Sequence, residues 1–105
     1  MSVRNQVIAI MFILMAATGG VQAGGDPGRG AELADECAGC HGDDGRGYDD
    51  IPAIAGMDAA KMAGLLADFK SGAVDSDMAG FVQDLGEQDM ADLAAYYASL
   101  PGGSN

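Results

Sequence analysis

Both cysteines and the only histidine of this 105-residue chain occupy five consecutive positions, CAGCH, from Cys37 to His41. This pentapeptide limits the fold more than any other stretch. Small domains usually need a staple to supplement a thin core, and no second cysteine pair exists to make one. The rest of the chain supplies little core material, with no Trp and with 17 Gly. Whatever binds at Cys37 and Cys40 is therefore expected to complete the core.

The N-terminus shortens the folding unit. Arg4 precedes the apolar run VIAIMFILMAA, Val7 to Ala17, and TGGVQA follows, with Val21 and Ala23 spaced as signal peptidase requires. Residues 1–23 read as a cleaved secretory signal and 24–105 as the mature domain, which places the protein in the periplasm. A membrane anchor is the competing reading, but the run is much shorter than the ~20 residues that cross a bilayer. The whole chain carries a formal net charge of −11. All of its acidic residues follow Ala23 and one basic residue, Arg4, precedes it, so the mature form is more negative still. Such a surface excludes nucleic-acid binding and suits partners with a basic docking patch, or simply solvation.

Beyond a Gly/Pro lead-in at 24–30, GAELADECAGCH holds good helix formers and predicts a helix over about 29–40. GDDGRGYDDIPAIAG breaks every regular pattern. A loop of that length in so small a domain is expected to wrap something. Asp58 is a candidate N-cap for the next helix, on which Met62, Leu65, Leu66 and Phe69 form one apolar stripe, and Gly72 closes it. An irregular SGAVDSDMAG segment and a short turn at FVQDL lead to the last helix. Its stripe is Met90, Leu93, Ala94 and Tyr97, and Pro101 stops it. No stretch alternates long enough to make a sheet. The expected fold is all-α, with three main helices and two loops.

Three chemistries compete for Cys37, Cys40 and His41. A thioredoxin-like dithiol needs a low-pKa cysteine at a helix N-terminus within a βαβ unit, and this chain shows no strands. Zinc needs four ligands, whereas two thiolates and one imidazole leave only carboxylates to fill in. Covalent haem takes Cys-x-x-Cys-His as its attachment sequence: thiols one helical turn apart reach the two vinyl groups of one haem edge, and the adjacent histidine is carried over the iron. Export, helicity and the thin core all agree with haem c.

At GAELADECAGCHG, IPAIAG, the methionine of the later loop and LAAYYASLP, the sequence resembles the bacterial class I cytochromes c. IAGMDAAKMAGLLADFKSG followed by DMAGFVQDL is, more narrowly, similar to the haem subunit of flavocytochrome c sulfide dehydrogenase. The resemblance implies a cytochrome c-like fold around one covalent haem, carrying single electrons between redox partners rather than catalysing a reaction. It also implies, as the alternative, an association with a flavoprotein subunit.

His41 supplies one axial bond, and the second decides whether iron only passes electrons or also binds small ligands. Met62 and Met90 sit on apolar stripes, where packing explains them. Met78 lies in the later loop among small residues, and the resemblance puts the ligand methionine there, with Met57 as the alternative. The resemblance further implies that the Pro52 carbonyl accepts a hydrogen bond from the axial histidine, although a plain loop constraint serves equally well for a proline. It also implies that Tyr96 and Tyr97 contact the first helix near Gly30 and Leu33. Arg46 and Tyr48 are candidates for the haem propionates or ordinary solvated loop residues.

Overall fold

The computed structural model describes residues 24–102. The expected secretory signal, residues 1–23, lies outside them. Among the described residues five helices follow one another: α1 Pro27–Leu33, α2 Asp35–His41, α3 Ala59–Ser71, α4 Met78–Val82 and α5 Glu87–Ser99. Among the described residues there is no strand, only an isolated bridge between Tyr48 and Ile51. No helix among them is long and apolar enough to cross a membrane.

The all-α expectation holds, but two boundaries differ from the sequence reading. The helix expected over 29–40 is two helices that meet at Ala34, whose φ of −76° and ψ of −6° are flatter than an ideal helix. There the ladder tightens to an i→i−3 bond, Ala34 N–H to the Ala31 carbonyl at 3.4 Å. Part of the expected lead-in is already helical, because Asp26 caps α1 by accepting from Gly28 N–H at 2.9 Å and Pro27 occupies the first turn. In the second half, the helical turn expected at FVQDL begins earlier, so Met78 opens α4 instead of lying in a loop.

Helices α3 and α5 follow their stripes. Asp58 caps α3 by accepting from Lys61 N–H at 3.1 Å, and Gly72 closes it in the left-handed conformation. Met62 and Leu66 of α3, Val82 of α4, and Met90, Leu93 and Tyr97 of α5 form the buried core.

The N-terminal and C-terminal helices are held together where α1 crosses α5. Gly30 is buried, and a Cβ placed on it would run into the Asp92 carbonyl and stand 2.7 Å from Tyr96 Cβ. The approach of Tyr96 to Gly30 matches the expected packing between the helices. Asp92, 1% exposed, fastens the crossing. Its carboxylate accepts from Asp26 N–H at 2.7 Å, Gln88 Nε2 at 2.9 Å and Arg29 Nη1 at 2.9 Å. Arg29 also reaches Asp89 Oδ1 at 2.7 Å.

Gly30→Ala is expected to cost about 3 kcal/mol, since backbone blocks the new methyl group. Chemical denaturation of the purified protein measures it, and a loss within ~0.5 kcal/mol would show that the crossing is not close in solution. The same crossing sets an acid limit. The hydrogen bonds from Gln88 and Asp26, with Arg29, hold the Asp92 carboxyl below the usual range; Gly86 N–H and then Arg29 do so for Asp89. A carboxyl whose pKa falls on folding adds stability above its unfolded pKa, and that stability is lost as pH falls through the folded value. The melting temperature should therefore stay flat from pH 7 to about pH 5 and drop below about pH 4. Asp92→Asn should lower it at pH 7 and make the acid drop shallower.

Candidate functional site

The break at Ala34 gives the CAGCH pentapeptide a two-turn helix of its own, α2. Cys37 and Cys40 lie three residues apart on it, hence on adjacent turns of one side. Both are free thiols, Cys37 half-buried and Cys40 exposed. His41 ends the helix and is 7% exposed.

The following loop is tied to His41 by its backbone. Gly47 N–H donates to the His41 carbonyl at 2.7 Å, and Tyr48 and Ile51 exchange hydrogen bonds at 3.1 and 3.0 Å. The Gly45 carbonyl accepts from Ile54 N–H at 2.7 Å and Ala55 N–H at 2.9 Å. These bonds bring the Pro52 carbonyl to 2.9 Å from His41 Nδ1. A carbonyl can only accept, so Nδ1 carries the proton and Nε2 keeps its lone pair free for a metal.

His41, Cys37 and Cys40 line a cavity of about 790 Å³. That volume lies within the ~300–1,000 Å³ of cofactor sites. The walls come from every part of the fold: Ile54 and Met57 from the loop, Leu65 and Phe69 from α3, Met78 and Phe81 from α4, and Leu93 and Tyr97 from α5. Both candidate methionines, Met57 and Met78, are on the wall and half-buried. Met62 also reaches it but is buried, whereas Met90 is buried in the core away from the cavity. Arg46 and Tyr48 do not line it. Arg46 is exposed, with Nε 3.7 Å from Asp44, and Tyr48 is 57% exposed.

The segment carrying Met78 is braced. Ser76 Oγ accepts from Met78 N–H at 3.1 Å. Gln83 Nε2 donates to the Lys70 carbonyl at 3.2 Å and to Ala79 O at 3.0 Å, while Lys70 Nζ donates to the Leu85 carbonyl. These bonds fasten α4 and the turn after it to the end of α3.

The electrostatics do not favour a redox dithiol. Burial pushes the Cys37 thiol up, with the Glu36 charge adding to it, against a smaller opposing hydrogen bond from Tyr97. A catalytic thiol needs the opposite shift. Among the described residues, no group of three or more His, Cys, Asp and Glu gathers to hold a metal ion, so a zinc site is not assembled. One imidazole with a fixed tautomer, two thiols on adjacent turns and three thioethers around an apolar cavity fit an iron porphyrin.

Comparison with known proteins points the same way. Residues 28–101 match the model of the cytochrome c family. Cytochrome c4 of Pseudomonas aeruginosa is 33% identical over 97 residues, covering 90% of this chain and 48% of that protein. Cytochrome c-554(547) of Halothiobacillus neapolitanus is 35% identical over 89 residues, which cover 72% of this chain and 98% of that protein. Among solved structures, a thiosulfate dehydrogenase from Marichromatium purpuratum superposes with a TM-score of 0.69 at 31% identity, over 75% of this chain and 19% of that one. The chain belongs to the cytochrome c family and has its fold. It spans about half the length of the cytochrome c4 relatives it matches. Family membership brings covalently bound haem c with it, and Cys37 and Cys40 fit the attachment sequence.

Sequence reasoning missed Phe81, Gln83 and Lys70. Phe81 stands three residues after Met78, a helical spacing that becomes informative only once α4 is known to start at Met78. Gly47 was missed as well. Its φ is +68°, and a Cβ there would run into the Ile51 carbonyl and stand 2.7 Å from the Pro52 oxygen that faces His41. Gly47→Ala is expected to cost about 2 kcal/mol and to speed exchange of the His41 Nδ1 proton with solvent. Nitrogen-resolved NMR of the ring reads the latter; unchanged exchange would separate the loop from the histidine.

Proposed function

We propose that this protein is an exported electron carrier in which haem c occupies the cavity, bound covalently through Cys37 and Cys40, with His41 and Met78 as axial ligands. The observation that carries the reading is the His41 ring. It sits on the wall of an apolar cavity with its Nδ1 proton committed to the Pro52 carbonyl and its second nitrogen free.

When bound, haem supplies a one-electron iron couple. The protein contributes the rest. Pro52 fixes the tautomer and orientation of His41, and the thioether of Met78 would favour the ferrous state relative to a second imidazole. The aliphatic and aromatic walls would keep water from the iron, and the braced α4 would hold Met78 in place beside it. A haem held by His41 and Met78 would pass electrons and do no further chemistry, which makes the protein a carrier and not an enzyme. Residues 1–23 serve as the secretory signal that delivers the chain to the periplasm, and residues 24–105 form the haem domain.

A second reading makes the protein a haem subunit within a sulfur-oxidising enzyme, such as a flavocytochrome c sulfide dehydrogenase with its flavoprotein partner. The 31% identity to part of a thiosulfate dehydrogenase supports a place in an enzyme of that kind. The near-complete coverage of a small cytochrome favours the free carrier. Copurification with a flavoprotein in native gels distinguishes the two.

The ligand assignment is tested by visible spectroscopy of the holo-protein. Met78→Ala is expected to abolish the iron–sulphur charge-transfer band of the ferric form and to let the ferrous form bind carbon monoxide, while Met57→Ala leaves both as in the parent. The reverse pattern would transfer the ligand to Met57.

A further inference from the structure

Tyr97 is the largest of the fully buried side chains, and the ligation described above gives its hydroxyl no use. It joins three parts of the site. Its backbone carbonyl accepts from Gly56 N–H at 2.8 Å, at the far end of the loop that orients His41. Its ring closes on the near end of that loop, since a Cβ on Gly45 would stand 3.0 Å from Tyr97 Cδ1 and 3.1 Å from Cε1. Its hydroxyl meets the Cys37 sulfur of α2, which packs against the same core and lines the same cavity. Burial pushes the phenol well above its ordinary pKa and the facing Cys37 adds to the shift, so the hydroxyl keeps its proton.

Packing alone would be served by phenylalanine, because neither the ring contact at Gly45 nor the backbone bond at Gly56 needs a hydroxyl. A buried hydroxyl without a partner forfeits its hydration, so its one polar neighbour matters. While Cys37 is a free thiol, either group can donate to the other. Haem attachment removes that choice: the S–H adds across a vinyl group, the proton ends on the vinyl carbon, and the sulfur keeps only lone pairs. Tyr97 is then the donor. The positive end of its O–H dipole points at a sulfur bonded to the porphyrin edge, which disfavours removal of an electron from the iron. We propose that Tyr97 is a tuning residue whose O–H···S bond to Cys37 raises the reduction potential of the haem. The inference rests on the haem reading above.

The test compares the parent holo-protein with Tyr97→Phe, which keeps the ring and removes only the hydroxyl, and with Tyr96→Phe. Tyr96 stacks edge-on against Tyr97, with ring centroids 5.0 Å apart, but does not line the cavity, so its variant controls for loss of a nearby hydroxyl. Equilibration with a redox buffer of known potential reads the ratio of ferrous to ferric protein. Tyr97→Phe is expected to shift that ratio about three-fold toward ferric, while Tyr96→Phe stays within about 1.3-fold of the parent. Resonance Raman spectra in ordinary and heavy water give the second readout. The thioether C–S stretch is expected to move on deuteration in the parent and in Tyr96→Phe, and to be insensitive in Tyr97→Phe. A hydroxyl with a merely structural role would lower the denaturation midpoint when removed and leave both readouts unmoved. A parental ratio in Tyr97→Phe, or C–S bands unmoved by deuteration in the parent, overturns the proposal; the parent measurement decides alone if Tyr97→Phe does not fold. A parent protein that lacks a haem spectrum overturns the haem reading instead, so the two failures are distinguishable.

Discussion

The contact at which α1 crosses α5 sets the geometry of everything else in the fold. Gly30 permits backbone-level approach, and Asp92 converts that proximity into a specific angle by joining Asp26, Arg29 and Gln88 through one buried carboxylate. A buried charge is tolerable when it is fully hydrogen-bonded and opposed by a cation, and this one is both. Because α1 leads directly into α2, the crossing also determines where Cys37, Cys40 and His41 stand. Because α5 carries Leu93 and Tyr97, it determines the wall that faces them.

Much of this was legible in the sequence. The pentapeptide, the stripes of α3 and α5 and the Asp58 cap all follow from local rules of spacing and residue type, whereas the close approach at Gly30 was implied by the family resemblance. What was not legible depends on distant partners. Nothing at Ala34 marks a break, since Leu33, Ala34 and Glu36 are ordinary helix residues; the ladder lapses there because the two halves serve different neighbours. Asp92 reads as a solvent-facing residue between Met90 and Leu93, and only the three donors converging on it explain its burial. Met78 lies in a stretch whose Asp, Ser and Gly content reads as loop. Its helix exists because Gln83, Lys70 and Leu85 secure it to α3.

The two groups proposed as iron ligands come from separate helices, and each is held by a different device. His41 is fixed by hydrogen bonds from the loop that follows it, whereas Met78 is fixed by a brace between helices. Little reorganisation is then available when the charge on the site changes, which is the property an electron carrier needs.

His41 is anchored twice to the same loop, through its carbonyl at Gly47 and through its ring at Pro52. The imidazole cannot rotate while both bonds hold, and the loop cannot lift without freeing the imidazole. Local opening of residues 42–55 and release of the His41 ring are thus one cooperative event. Exchange of the Gly47 amide with solvent and the freedom of the imidazole accordingly keep the same clock.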